Sequence, residues 1–190
     1  SAACYVIPII AMPARFARYE VTAAHNKAVN ARQFGGTVSA DPGAEWVSPA
    51  MPPNRLYADE LTIEVGGVTF ELFHARGETD DHTWVYCPDR RVLCPGDLII
   101  WGVPNAGNPQ KVQRYPLEWA AALRDMAATG AELLLPAHGL PIGGRERVAM
   151  VLTETADALE TLVRDTLTMM NEGARLDQIV ATVKVDPAVL

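Results

Sequence analysis

Apolar and polar residues alternate in two neighbouring runs, Leu61-Thr-Ile-Glu-Val65 and Val68-Thr-Phe-Glu-Leu-Phe73, separated by Gly66-Gly67. A period of two predicts strands with one face buried. The Gly-Gly pair is suited to the positive φ angles of a two-residue turn, so the runs are read as one hairpin. Thr83-Trp-Val-Tyr86 and Arg91-Val-Leu-Cys94 predict a second hairpin through Pro88-Asp89, and Leu98-Ile-Ile-Trp101 follows it. The period then lengthens. Pro116 suits the first turn of a helix whose apolar stripe is Trp119, Leu123 and Met126. Glu132-Leu-Leu-Leu-Pro136 predicts a short buried strand. From Arg145 to Met170 the residues Val148, Val151, Leu152, Ala156, Leu159, Leu162, Val163 and Leu167 recur at helical spacing. Asn171-Glu-Gly173 closes that helix, and Leu176 to Val183 makes a last short one.

Upstream, Tyr5 to Ala11 is an apolar run ending before Pro13, which predicts a strand covered on both faces. Ala14 to about Phe34 suits helix, ended by Gly35-Gly36. Residues 37 to 56 carry Pro42, Gly43, Pro49, Pro52 and Pro53 and read as a long irregular connection. Strands followed by alternating helix and strand favour an α/β layered fold. There is no internal repeat.

Composition narrows the function classes. The 190 residues are 49% hydrophobic and 21% charged, enough for a globular domain with a core and too little bias for disorder. A net charge of −7 argues against nucleic acid and anionic membrane surfaces, which need clustered Lys and Arg. Arg15, Arg18, Lys27 and Arg32 are read as a solvated helix face. Cys4, Cys87 and Cys94 form no C-x-x-C knuckle and are read as buried free thiols. No run of 18 apolar residues exists, so no membrane span is expected. Cytoplasmic and periplasmic settings both fit.

Three acid or imidazole groups follow strands in Gly-containing segments. They are Gly77-Glu-Thr-Asp-Asp-His82, Pro95-Gly-Asp97 and Pro136-Ala-His-Gly139. Each is expected in a loop at a strand's C-terminal end, where ligand-binding groups collect on open sheets. Two carboxylates and an imidazole are a suitable ligand set for Zn²⁺, Mn²⁺ or Fe²⁺. By spacing alone, Gly-Asp is more often a turn and a His near Pro more often a surface residue.

Taken in order, these segments resemble the later motifs of the metallo-β-lactamase superfamily. Gly77-Glu-Thr-Asp-Asp-His82 stands where many members have Gly-His-Thr-x-Gly-His. Gly96-Asp97 is similar to the Gly-Asp that carries the bridging carboxylate, and Pro136-Ala-His138-Gly139 to the Pro-Gly-His-Gly ligand segment. Glu78 in place of the first His marks the alkyl sulfatase-like branch. The stretch from Trp101 to Tyr115 adds to the likeness, and the helix from Arg145 resembles the start of that branch's dimerisation region. The resemblance implies part of a metallo-β-lactamase αββα sandwich, with a mixed sheet and flanking helices, over residues 1–143. A helical dimerisation region over 144–190 would follow, in a homodimer.

The resemblance also implies roles. Glu78, Asp97 and His138 would ligate metal, with Asp97 bridging and catalytic and two Zn²⁺ per complete site, Mn²⁺ or Fe²⁺ being alternatives. Asp80 and Asp81 would accept hydrogen bonds from ligand imidazoles, or else form a solvated acidic turn. His82 would be a buried hydrogen-bonding residue and His74 structural. Asn105 and, more weakly matched, Arg114 would hold sulfate oxygens, against a reading of their loop as a dimer contact. Trp84, Trp101 and Trp119 would line an alkyl pocket or belong to the core. The implied activity is metal-dependent hydrolysis of small-molecule sulfate esters. A thioesterase- or lactonase-like hydrolase and a metal-free dimerisation module are the alternatives. The superfamily's His-x-His-x-Asp-His motif has no counterpart among His25, His74, His82 and His138. The expectation is therefore a portion of a longer enzyme, inactive alone.

Overall fold

A computed structural model describes residues 10–11, 55–79, 81–102, 104–107 and 114–185. Contacts divide the chain into one unit of residues 1–58 with 109–111 and another of 59–108 with 112–190. In the first, β1 (Ile10–Ala11) pairs in parallel with β2 (Arg55–Leu56), Ile10 opposite Arg55. The helix expected over 14–34 and most of the irregular connection after it lie outside the described residues.

The second unit is built on a six-stranded sheet, ordered as the strands occur in the chain: β3 (Glu60–Val65), β4 (Val68–Ala75), β5 (His82–Cys87), β6 (Val92–Ile100), β7 (Leu133–His138) and β8 (Ile142–Gly143). Gly66 and Gly67, at φ 61° and 77°, make the tight β3–β4 turn, with Val65 opposite Val68. The β5–β6 hairpin closes through a 3₁₀ turn at Pro88–Arg90, after which Arg91 takes the left-handed conformation at φ 51°. Cys94 lies opposite Val85 and Cys87 opposite Val92, and both thiols are free. Burial, then Cys87, pushes the Cys94 thiol pKa up.

Helix α1 (Pro116–Ala128) crosses over between the parallel strands β6 and β7, and α2 (Arg145–Asn171) and α3 (Leu176–Thr182) complete the unit. One core joins Leu93, Leu98 and Leu134 of the sheet to Trp119, Leu123 and Met126 of α1 and to Val148, Leu152, Ala156 and Leu159 of α2. The apolar stripe of α2 is thus buried over its first half. Towards its end Leu167 and Met170 are exposed, as are Leu176 and Val180 on α3. Residues 143 and 144 both lie within the second unit. Among the described residues no helix is long and apolar enough to cross a membrane.

The structure corrects two placements. Asp97 was expected in a loop after Cys94, but β6 continues through it to Ile100, with register breaks against β7 on either side of Gly96. Pro95 has no N–H to donate and Gly96 sits at φ 58°, so the Pro-Gly pair produces an irregularity within the strand. Burial of Leu98 and Ile99 carries the strand onward. His138 is likewise the last residue of β7 and not part of the loop beyond it.

Candidate active site

Strand directions gather the three expected ligands. Both β4 and β6 run antiparallel to β5, and β7 runs parallel to β6. The C-terminal ends of β4, β6 and β7 therefore share one edge of the sheet. Glu78 follows β4 by three residues, Asp97 lies in the second half of β6, and His138 ends β7 opposite Ile100. His138 Nε2 is 3.3 Å from Asp97 Oδ1. Asp97 is also close enough to Glu78 to push its carboxyl pKa up. Asp97 is thus near both His138 and Glu78.

Buried neighbours fix the backbone around these groups. Gly77 O accepts the Tyr115 N–H at 2.9 Å, and Gly77 N–H donates to Thr79 O at 3.0 Å. A Cβ on Gly77 would overlap Leu98 Cδ2 and lie 3.1 Å from Trp119 Cγ, so only glycine lets the chain pass there before Glu78. Trp119 is in turn tied to β6, its Nε1 donating to Leu98 O at 2.9 Å. On the far side of Asp97, the buried His82 holds the irregular stretch of β6. Its Nε2 lies 2.9 Å from Pro95 O, an acceptor only, so the proton resides on Nε2. The imidazole occupies the space a Cβ on Gly96 would need, 2.7 Å from its Nε2.

Arg114 is the cation of the site. Its side chain is 7% exposed and its Nη2 donates to Glu78 Oε1 at 2.7 Å. Burial first, then hydrogen bonding to Asp97, raises the Glu78 pKa above its ordinary 4.5, and Arg114 opposes this. Among the described residues, three buried side-chain polar atoms have no hydrogen-bond partner: Thr79 Oγ1, Asp81 Oδ2 and Arg114 Nε. Two belong to the segment around Glu78 and the third to its ion-pair partner. Buried orphans are rare, and these three lie on or beside the Glu78 segment.

Among the described residues no three His, Cys, Asp or Glu side chains surround one point as a metal cage. The donor chemistry nevertheless fits a divalent cation. Two carboxylates near one another cannot both ionise cheaply, and a cation between them removes that repulsion. Asn105 is exposed, and its Oδ1 accepts the Gly107 N–H at 3.3 Å within its own loop. Asp80 lies outside the described residues. The three tryptophans separate: Trp84 and Trp119 are buried in the core, whereas Trp101 is exposed beside His138. The Arg114–Glu78 pair was not foreseen, since partners 36 residues apart carry no local signal.

Replacing Arg114 with Gln leaves the Glu78 carboxylate facing only Asp97, so its pKa is expected to rise further. The loss of stability is expected to be about 2 kcal/mol at pH 7, below the 3–5 kcal/mol typical of a fully buried pair because Glu78 is 26% exposed. It should shrink towards pH 4, where Glu78 is protonated in either protein. Urea titrations at the two pH values check this.

No family model matches the chain. A linear primary-alkylsulfatase from Pseudomonas sp. (strain ATCC 19151) is 32% identical over 145 residues, 75% of this chain and 28% of the relative. The stereoselective inverting sec-alkylsulfatase Pisa1 from Pseudomonas sp. has a TM-score of 0.65 at 25% identity, covering 73% of this chain and 23% of that one. A double mutant of that enzyme gives 0.81 at 20% identity, over 96% of this chain and 32% of its own. A metallo-beta-lactamase family protein from Thermus thermophilus gives 0.51 at 22% identity, over 82% of this chain and 52% of that chain. The chain spans about a quarter to a third of the length of the alkylsulfatases it matches.

Proposed function

Because the chain is a homologue of the alkyl sulfatases with the metallo-β-lactamase fold, we propose that it serves metal-dependent hydrolysis of alkyl sulfate esters. The convergence of Glu78, Asp97 and His138 from three strands on one sheet edge carries this reading. These three residues would hold the metal, Zn²⁺ with Mn²⁺ or Fe²⁺ as alternatives. When bound, such a cation polarises an ester oxygen and acidifies water. Asp97, 3.3 Å from His138 Nε2, would hold the metal together with it.

The remaining roles fall to groups of this chain. Arg114 spends Nη2 on Glu78 and has Nε free for a sulfate oxygen, a charge-assisted bond that suits an oxygen charged throughout the reaction. Asn105 is the second candidate for such a contact. His82 fixes the backbone before Asp97, and Asp81 presents a buried acceptor. No His-x-His-x-Asp-His occurs in the sequence, so Glu78, Asp97 and His138 are the donors proposed here. The exposed Leu167, Met170, Leu176 and Val180 favour self-association through α2 and α3, which a metal-free dimerisation module would share.

Zinc analysis after loading and dialysis, together with a substrate panel, tests the proposal. Stoichiometric zinc and sulfate release from alkyl sulfates, with thioesters and lactones turned over far more slowly, are expected. Preference for a thioester or lactone would move the protein to another hydrolase class. A zinc-free dimer on sizing chromatography would favour the association module.

A further inference from the structure

The carboxylate proposed as a metal ligand already has a cation of this chain upon it. Arg114 Nη2 donates to Glu78 Oε1 at 2.7 Å, from a side chain only 7% exposed. A guanidinium does not lose its proton in a protein, so the positive charge beside Glu78 is permanent. The contact uses half of what Arg114 offers. Nε and Nη2 point their N–H groups the same way, a fork that grips an oxyanion through two parallel bonds. Here Nη2 is on Glu78, and the buried Nε beside it has no partner. Arg76, two residues before Glu78, is placed instead over the Tyr115 ring, 5.1 Å from its centroid.

We infer that Arg114 is the counter-ion of Glu78 in the metal-free protein and changes partner when a divalent cation binds, turning its Nε–Nη2 fork to an oxyanion. This rests on the proposed metal-dependent reading and adds its regulation, since one side chain couples metal loading to anion binding. Like charges on a single carboxylate repel, so a divalent cation and the guanidinium compete for Glu78. Breaking a buried ion pair is costly when it leaves a charge bare. In this exchange neither charge is left bare, because Glu78 meets the metal and Arg114 meets the anion with two bonds in place of one. Linkage makes the effect reciprocal: an anion that draws Arg114 away tightens metal binding by the factor by which metal tightens the anion.

The test is zinc affinity measured by competition with a chelator at pH 8. Arg114→Gln is expected to bind zinc about 5- to 150-fold more tightly than the wild type, the range usual for coupled sites. Arg114→Lys keeps the charge and is expected to stay near the wild-type affinity. Saturating methanesulfonate, an uncleavable anionic head, should tighten zinc binding in the wild type and do so much less in Arg114→Gln. The wild type also reports the exchange without any substitution. The ¹⁵Nε resonance of Arg114 should move when zinc is added and again with methanesulfonate. Unchanged or weaker zinc binding in Arg114→Gln, or an Arg114 resonance that zinc leaves in place, overturns the exchange while the metal reading stands. Absence of zinc binding in both the wild type and Arg114→Gln removes the metal reading and the exchange with it.

Discussion

On the proposed reading, replacing Asp97 with Ala is expected to strip zinc from the protein and to slow sulfate ester hydrolysis by about a thousandfold or more. A metal supplies several kcal/mol of transition-state stabilisation, and each 1.36 kcal/mol is tenfold in rate. Asp97 is 3.3 Å from His138 Nε2 and also acts on the Glu78 pKa, so its loss removes the group near both. The fold should survive, because Asp97 is half-buried and part of its effect is unfavourable. In the metal-free protein the raised pKa of Glu78 means that the native state favours the protonated carboxyl. That contribution to stability is complete below 4.5, the ordinary value, and is lost as pH rises through the higher folded value. Removing Asp97 takes away two of the causes that raise Glu78, so the melting temperature should depend less on pH across that window and be no lower at pH 7. Zinc analysis, sulfate release and melting curves from pH 4 to 7 read the three effects separately. A variant that keeps its zinc and its activity would show that Asp97 is neither ligand nor bridge.

The sequence made the local parts of this architecture legible. Gly66-Gly67 between alternating runs, Pro116 ahead of Trp119, Leu123 and Met126, and the spacing from Val148 to Leu159 are signals contained within one element. What eluded it depends on neighbours. Pro95-Gly96 reads as the end of a strand, yet the partners of β6 and the burial of Leu98 carry it through Asp97 to Ile100. Trp84, Trp101 and Trp119 are equivalent as letters, and only tertiary packing sends two inward and leaves one beside His138. Glu78, Asp97 and His138 were picked out by resemblance to ordered family motifs, since their spacing alone supports turns and a surface histidine equally well. The ion pair from Arg114 to Glu78 and the hold of His82 on Pro95 have no sequence signature, because each joins segments that the sheet brings together.

Replacing Trp119 with Ala is expected to be the most damaging single change to the fold. The side chain is 1% exposed and is in the same core as Leu98 of the sheet and Leu152 of α2. Its removal combines lost burial and a cavity, about 3–5 kcal/mol, with an orphaned Leu98 carbonyl worth about 1 kcal/mol more. Against a total stability of about 5–15 kcal/mol, this leaves a large unfolded fraction at 37 °C or a much lower urea midpoint by far-UV circular dichroism. Trp119→Phe should cost roughly half as much, since it keeps a ring while losing the N–H and part of the indole volume. The change also reaches the site, because Trp119 packs on Gly77, whose carbonyl is tied to Tyr115 and whose next residue is Glu78. Gly77→Ala should therefore cost about 1–3 kcal/mol in the native protein by overpacking, chiefly against Leu98, and less in Trp119→Ala, where Leu98 can shift into the vacated space. A double-mutant cycle giving simple additivity would show that Trp119 does not hold the Glu78 segment in place.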